Sequence, residues 1–398
     1  MNDDPLLARF GERLDALTDR SGELEPISDT ERRRRIERFK AGLEASGLDA
    51  LVLEPGKTFD YVSRVPWGRS ERLFALVITR DHDPFWVIPA FEAPRGREKI
   101  EANGGPVGDV LTWDEHEYAF EPLGRRLLEL DSPRVAVDHQ ARAFVLAGLA
   151  EVPGLQVRSA RDVIASVRGR KEDHEIRLLA LANEITQEAI RTVAGWLEPG
   201  LSDHDVAKLM RLAQSRMGLS GVWVLSLFDD LAALPHGRAG GRVLEKGSRI
   251  LVDTGGSLHG YQSDNTRSWV FDAKPDDEYR RGWDLVRRAQ VAAFEAIRPG
   301  IPAGDVDRAA RAVIDEGGFG TGYDAFAHRL GHGIGMEGHE DPYFDGGSQV
   351  LLEPGMTFSN EPGIYLPGRF GIRLEDCVAV GPDGAHNFGE WQAGPEFP

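Results

Sequence analysis

The chain is poor in sulfur, with one cysteine, Cys377, among 398 residues. That excludes an intrachain disulfide, a cysteine-ligated zinc site and an iron–sulfur cluster, and it suits a reducing compartment. Long apolar runs are also missing. No stretch approaches the ~20 residues of a membrane helix, and the opening Met1-Asn2-Asp3-Asp4-Pro5 has neither a basic nor an apolar targeting segment. Positive charge is short too: 47 Lys and Arg against 65 Asp and Glu give a formal net charge of −18, a field that repels a phosphate backbone. The expectation is a cytoplasmic protein with no membrane and no nucleic-acid partner. The one dense basic run, Arg32-Arg33-Arg34-Arg35, accompanies Ile36, Phe39 and Leu43 at helical spacing and reads as the solvated face of an amphipathic helix.

Short branched apolar runs at 51–53, 73–79, 85–88 and 135–137 are separated by Gly, Pro and Asp and predict strands, while 121–130 and 141–149 predict helices. Residues 1–165 therefore read as an α/β domain, with the polar stretch Arg168-Gly169-Arg170-Lys171 at its end. Residues 166–398 form the second domain. In it, Pro199-Gly200-Leu201-Ser202 returns as Pro299-Gly300-Ile301-Pro302 at an offset of 100, each phrase between two helical patterns. Leu244-Glu245-Lys246-Gly247 before Asp253 returns as Leu352-Glu353-Pro354-Gly355 before Glu361 at an offset of 108. Two ordered matches predict an internal duplication, each half supplying two helices and part of a sheet.

Chemistry-bearing residues gather in these halves. Asp253 ends a buried strand pattern, and Gly255, Gly256 and Gly260 permit a turn that brings Asp264 beside it. In the second half Met356 to Asn360 ends at Glu361, and Gly371 to Glu375 resembles another strand, on which Arg373 and Glu375 share a face. If pseudo-symmetry brings the four carboxylates to one centre, their mutual repulsion calls for cations. Between the halves run His328, His332 and His339 among glycines, a pattern suited to a metal ligand with neighbouring proton-transfer or substrate groups. His236 lies in the turn Leu234-Pro235-His236-Gly237. Two competing motifs fail on context. Asp253-Thr254-Gly255 has no second triplet to complete an aspartic-protease pair, and Gly333-x-Gly335-x-x-Gly338 runs into His339-Glu340-Asp341-Pro342 instead of opening a helix in a βαβ unit.

From about Lys171 to Cys377 these motifs resemble the pita-bread metallopeptidase family of methionine aminopeptidase, aminopeptidase P and prolidase. The ordered elements are Pro-His-Gly, Val-Asp-Thr-Gly, Ser-Asp-Asn-Thr-Arg, Gly-His-Gly-Ile-Gly, His-Glu-x-Pro, Glu-Pro-Gly and Arg-x-Glu-Asp. The leading domain is similar to that of the Xaa-Pro-cleaving branch. The resemblance implies an α/β N-terminal domain followed by an α+β pita-bread catalytic domain with a pseudo-two-fold. It implies two divalent ions, manganese first and cobalt or zinc as alternatives, held by Asp253, Asp264, His332, Glu361 and Glu375. It further implies a homodimer that hydrolyses Xaa-Pro bonds in dipeptides by a metal-bridging hydroxide. Glu361, His236, His339 and Arg373 would be catalytic, and His236, His328, His339 and Arg373 would contact substrate. An aminopeptidase acting on longer peptides, a metal-dependent hydrolase or lyase of a small non-peptide, and a non-catalytic binder on the same fold are the alternatives. Two places depart from the family pattern: Asn265 replaces an aliphatic residue, and Leu225 to Asp230 lacks the usual small residues and glycine.

Overall fold

A computed structural model describes residues 5–237 and 240–398. The chain divides into two compact units, Ile27–Arg168 and a second made of Gly169–Pro398 with the opening segment that ends at Pro26. The junction thus falls within the polar stretch. The opening segment, expected in the leading domain, groups with the second unit, because helix α1 (Pro5–Asp15) buries Leu6, Phe10 and Leu14 and packs on the helix at 203–216.

The first unit begins with α2 (Asp29–Ala45), started by a reciprocal capping box between Ser28 and Glu31. Its basic run is only partly solvated. Arg33 and Arg34 are exposed, but Arg32 and Arg35 are buried; Arg35 donates to Tyr61 O at 2.9 Å with its guanidinium 3.9 Å from that ring's centroid. An arginine can be buried where carbonyls and an aromatic face replace water. There follow β1 (Ala50–Leu53), α3 (Lys57–Ser63), β2 (Ala75–Thr79), β3 (Phe85–Pro89), α4 (Ala93–Ala102), β4 (Val110–Trp113), α5 (Phe120–Glu129), β5 (Arg134–Val137), α6 (Ala143–Ala150), β6 (Gln156–Ser159) and α7 (Arg161–Arg168). The strands form one mixed sheet in the order β4-β3-β2-β1-β5-β6. Its four central strands are the predicted apolar runs. The edge strands β4 and β6 are largely unburied and lack such runs.

The second unit shows the duplication. Helices α8 (Asp173–Ala194) and α9 (Asp203–Arg216) precede β7 (Ser220–Phe228), β8 (Arg249–Leu258), β9 (Tyr261–Gln262) and β10 (Asn265–Val270). Helices α10 (Asp277–Ala296) and α11 (Ala303–Asp315) precede β11 (Gly331–Gly333), β12 (Glu340–Phe344), β13 (Thr357–Asn360), β14 (Gly363–Leu366), β15 (Phe370–Arg373), β16 (Asp376–Val380) and β17 (Ala385–Asn387). The repeated phrases make matching turns. Gly200 and Gly300 both take the left-handed conformation, at φ +94° and +83°, and donate to Leu244 O and Leu352 O at 2.9 and 2.8 Å. The main sheets run β10-β8-β7 and β12-β11-β13-β16-β17, and a bridge between Thr266 and Glu375 ties one half to the other.

Candidate metal centre

Antiparallel pairing places the acids. Asp253 sits in β8 opposite Thr266 of β10, and Asp264 immediately precedes β10. Asn360 pairs with Asp376, so Glu361 and Glu375 leave the ends of β13 and β16 side by side. His332 lies mid-strand in β11, which pairs with β13. Three overlapping trios result: Asp253, Asp264 and Glu375; His332, Glu361 and Glu375; and Asp264, His332 and His339. Ligand atoms within each trio lie within 4.8 Å of one another. All five sequence-assigned ligands and His339 thus meet at one centre.

Fixed hydrogen bonds aim these groups. Ser359 Oγ donates to Glu361 Oε1 at 3.1 Å, and Thr266 Oγ1 donates to Glu375 Oε2 at 2.7 Å. His332 Nδ1 donates to Gly333 O at 3.1 Å, which directs its Nε2 lone pair to Glu361 Oε1 at 3.3 Å and Asp264 Oδ2 at 3.6 Å. Asp253 Oδ2 accepts from Arg373 Nη2 at 2.6 Å, whereas Asp253 Oδ1 is buried with no hydrogen-bond partner.

The electrostatics are those of a centre built around cations. Burial, then the charges of Asp253 and Glu361, push the Asp264 carboxyl well above its ordinary value. Glu375 moves the same way through burial and then Asp264, and burial raises Glu361 to about 7. Burial and then His339 lower His332 to about 3, leaving it neutral as a ligand must be. Divalent cations would remove the repulsion and give the bare Asp253 oxygen a partner, so the donor set fits them.

Arg373, expected to contact substrate or to orient Glu375, is enclosed. Besides Asp253 it donates to Thr266 Oγ1, Pro235 O and Tyr365 OH, each at 3.0 Å. It therefore fixes Asp253 directly and Glu375 through Thr266. His328 is also occupied on both nitrogens, by Arg329 O and by Tyr365 OH, each at 2.8 Å. Burial and then Arg373 lower it to about 3. His339 is exposed, with its ring 3.7 Å from that of His332 and 15° from parallel. His236 is exposed in the turn before the undescribed pair 238–239, close enough for its charge to act on His328 and His339. Tyr365 and Thr266 escaped the sequence reading. Tyr365 looks like one more apolar residue of a buried strand, and only the spacing of two from Asp264 marked Thr266.

The two departures have local explanations. Asp229 takes the left-handed place with φ +54° and caps Arg249 N at 2.9 Å through its carboxylate, so a polar side chain serves the turn where glycine is usual. Leu225 lies opposite Asp253 and Trp223 opposite Gly255, while Leu227 packs with Leu231, Ala232 and Leu251; β7 thus presents an apolar wall beside the centre. Asn265 is buried and reaches Glu375 O at 3.5 Å.

This fold is that of pita-bread metallopeptidases, and comparison with known proteins agrees. Residues 177–382 match the metallopeptidase family M24 and residues 35–169 the creatinase/prolidase N-terminal domain. The chain belongs to metallopeptidase family M24, whose chemistry uses divalent metal ions. It is 37% identical to the probable dipeptidase PepE of Mycobacterium tuberculosis over 356 residues, 88% of this chain and 92% of that protein. The crystal structure of dipeptidase PepE from Mycobacterium ulcerans superposes with a TM-score of 0.84 at 33% identity, covering 94% of this chain and 99% of that one. Recombinant prolidase from Thermococcus sibiricus gives 0.77 at 28% identity, covering 90% and 97%. Among the described residues no helix is long and apolar enough to cross a membrane.

Proposed function

We propose that this metallopeptidase is a dinuclear Xaa-Pro dipeptidase. The observation that carries the reading is the buried set of four carboxylates and one imidazole with an unpartnered Asp253 oxygen at its heart. Asp253, Asp264, His332, Glu361 and Glu375 would hold two divalent ions. Bound there, the ions supply Lewis acidity toward the scissile carbonyl and lower the pKa of water. Manganese suits a mostly carboxylate shell, with cobalt or zinc also tolerated.

The protein's own groups do the rest. Glu361 takes the proton released by the attacking water. His339, exposed beside the centre, donates to the oxygen that gains charge, and His236 assists the departure of the proline nitrogen, which takes up the proton held by Glu361 and leaves as a secondary amine. Arg373 holds Asp253 and the Thr266–Glu375 pair in place and has a positioning role in this reading. The apolar wall of Trp223, Leu225 and Leu227 receives the residue before proline. Proline demands a dedicated site because its nitrogen lacks a hydrogen and its ring fixes φ. A homodimer acting in the cytoplasm completes the reading; the single buried Cys377 suits a reducing compartment.

The test is cleavage of Ala-Pro against Ala-Pro-Ala-Ala by manganese-loaded protein. Higher kcat/KM for Ala-Pro supports a dipeptidase. Equal or better cleavage of the tetrapeptide makes it an Xaa-Pro aminopeptidase, and cleavage of neither overturns the Xaa-Pro reading.

A further inference from the structure

His339 is carried by residues 334–339, a bend between β11 and β12 that contains Gly335 and Gly338 and leaves the imidazole exposed. Nothing in that composition holds a ring at one angle. The next residue does have an anchor. Glu340 Oε1 lies 2.8 Å from Lys171 Nζ, and the two side chains are only 7% and 1% exposed. The same carboxylate accepts from Glu337 N at 3.4 Å and lies against Gly335, where a Cβ would come within 2.4 Å of Oε1. From outside the bend, Gln262 donates to it as well, through its N to Gly335 O at 2.9 Å and through Nε2 to Met336 O at 3.2 Å.

Lys171 comes from a distant part of the catalytic unit, just ahead of α8, and its backbone is pinned. Its N–H donates to Gly355 O at 2.8 Å. Gly355 has φ +90°, and a Cβ there would lie 2.8 Å from Lys171 O, so the close approach requires glycine. The Lys171 ammonium therefore enters the base of the bend from a fixed direction. Two apolar side chains of equal volume would fill the same space without the cost of desolvating two charges. What they would lack is direction, since a charge-assisted hydrogen bond sets where the Glu340 carboxylate points and, through it, where the bend turns.

We infer that Lys171 and Glu340 are positioning residues for His339, holding its imidazole stacked on His332 over the metal centre. This rests on the reading that His339 serves the reaction. The buried pair fixes Glu340 at the end of a glycine-rich turn and, through its carboxylate, Glu337 N within it, so that an exposed ring stays in register with a buried one.

The test compares Lys171→Met and Glu340→Gln, each alone and each added to His339→Ala. Kinetics use whichever dipeptide the wild-type protein cleaves, so failure on Ala-Pro would count against the Xaa-Pro reading and leave this inference open to test. Each single variant should lose about tenfold or more in kcat, with KM within about threefold of wild type and bound metal retained. In the His339→Ala background the same substitutions should change kcat by less than about twofold, because their effect passes through the missing ring. Equal losses in both backgrounds, or loss of metal, would overturn the inference. Glu340→Gln keeps the volume and serves if Lys171→Met does not fold. A readout without turnover is the His339 ring resonance in nitrogen-15 histidine-labelled protein. It should shift in both single variants, and an unmoved resonance also overturns the proposal.

Discussion

Asp264 bonds through its backbone N to Asn183 Oδ1 at 3.2 Å, and its carboxylate faces His332 and the other acids. Asp264→Ala should therefore remove activity with little loss of fold; retention of more than about a tenth of wild-type kcat, a barrier change below ~1.4 kcal/mol, would take Asp264 out of the centre. His339→Ala should cut kcat by about 10² to 10³ with a smaller change in KM, since its donor acts mainly as charge develops. An effect confined to KM would recast it as a substrate contact. Glu361 gives a pH prediction for the metal-free protein. Its folded-state value of about 7 lies above the ordinary 4.5, so the folded state keeps a proton that the unfolded chain has released. The associated stability is full below about pH 4.5 and is lost as pH rises toward 7. In chelator, the stability of wild type relative to Glu361→Gln should fall across that window in urea unfolding; a flat difference would contradict the assignment. At this scale the acids could be singled out because their motifs are short and ordered along the chain, although Asp253, expected to end its strand, lies inside β8, which runs on to Leu258. The enclosure of Arg373 was not legible, because its partners Pro235, Thr266 and Tyr365 come from three separate segments.

Between elements, the two halves are joined under the centre by a buried ion pair. Arg267 of β10 donates to Asp376 Oδ1 of β16 at 2.6 Å, with side chains 3% and 1% exposed, and to Glu375 O at 2.7 Å. Gln187 of α8 and Gln290 of α10 donate to the same aspartate at 3.2 and 3.0 Å. Arg267→Met leaves Asp376 without its ion-pair partner, held only by the two glutamines, and should cost about 3 to 5 kcal/mol in chemical unfolding. A loss below ~1 kcal/mol would show that the pair is dispensable. The central strands and the repeated turns could be read from the chain because apolar runs and Pro-Gly phrases are local signals. The edge strands β4 and β6 gave none. The Arg32 and Arg35 burials depend on Ile27 and on Tyr61, partners that a helix-period reading does not see.

For the whole molecule, Ile27–Arg168 has its own apolar core around β1, β2, β3 and β5, flanked by α5 and α6. Expressed alone it should unfold cooperatively and cleave no peptide, whereas non-cooperative melting would deny it domain status. The polar stretch at 168–173 marks the junction at Arg168 and Gly169, three residues past the expected bound. The placement of α1 was not readable, since an amphipathic helix of eleven residues does not reveal which core it faces. The intact chain should hold two divalent ions; elemental analysis finding fewer than one per chain would end the dinuclear reading.

The matching turns at Gly200 and Gly300 have a further consequence. The first half contributes Asp253 and Asp264, the second His332, Glu361 and Glu375, and neither set alone makes the centre. The centre is thus a seam between two like pieces. The link between the pieces, at 272–276, is short and mostly exposed. A chain cut there and supplied as two polypeptides should reassemble around the ions, with metal serving as the clasp that makes one protein of two.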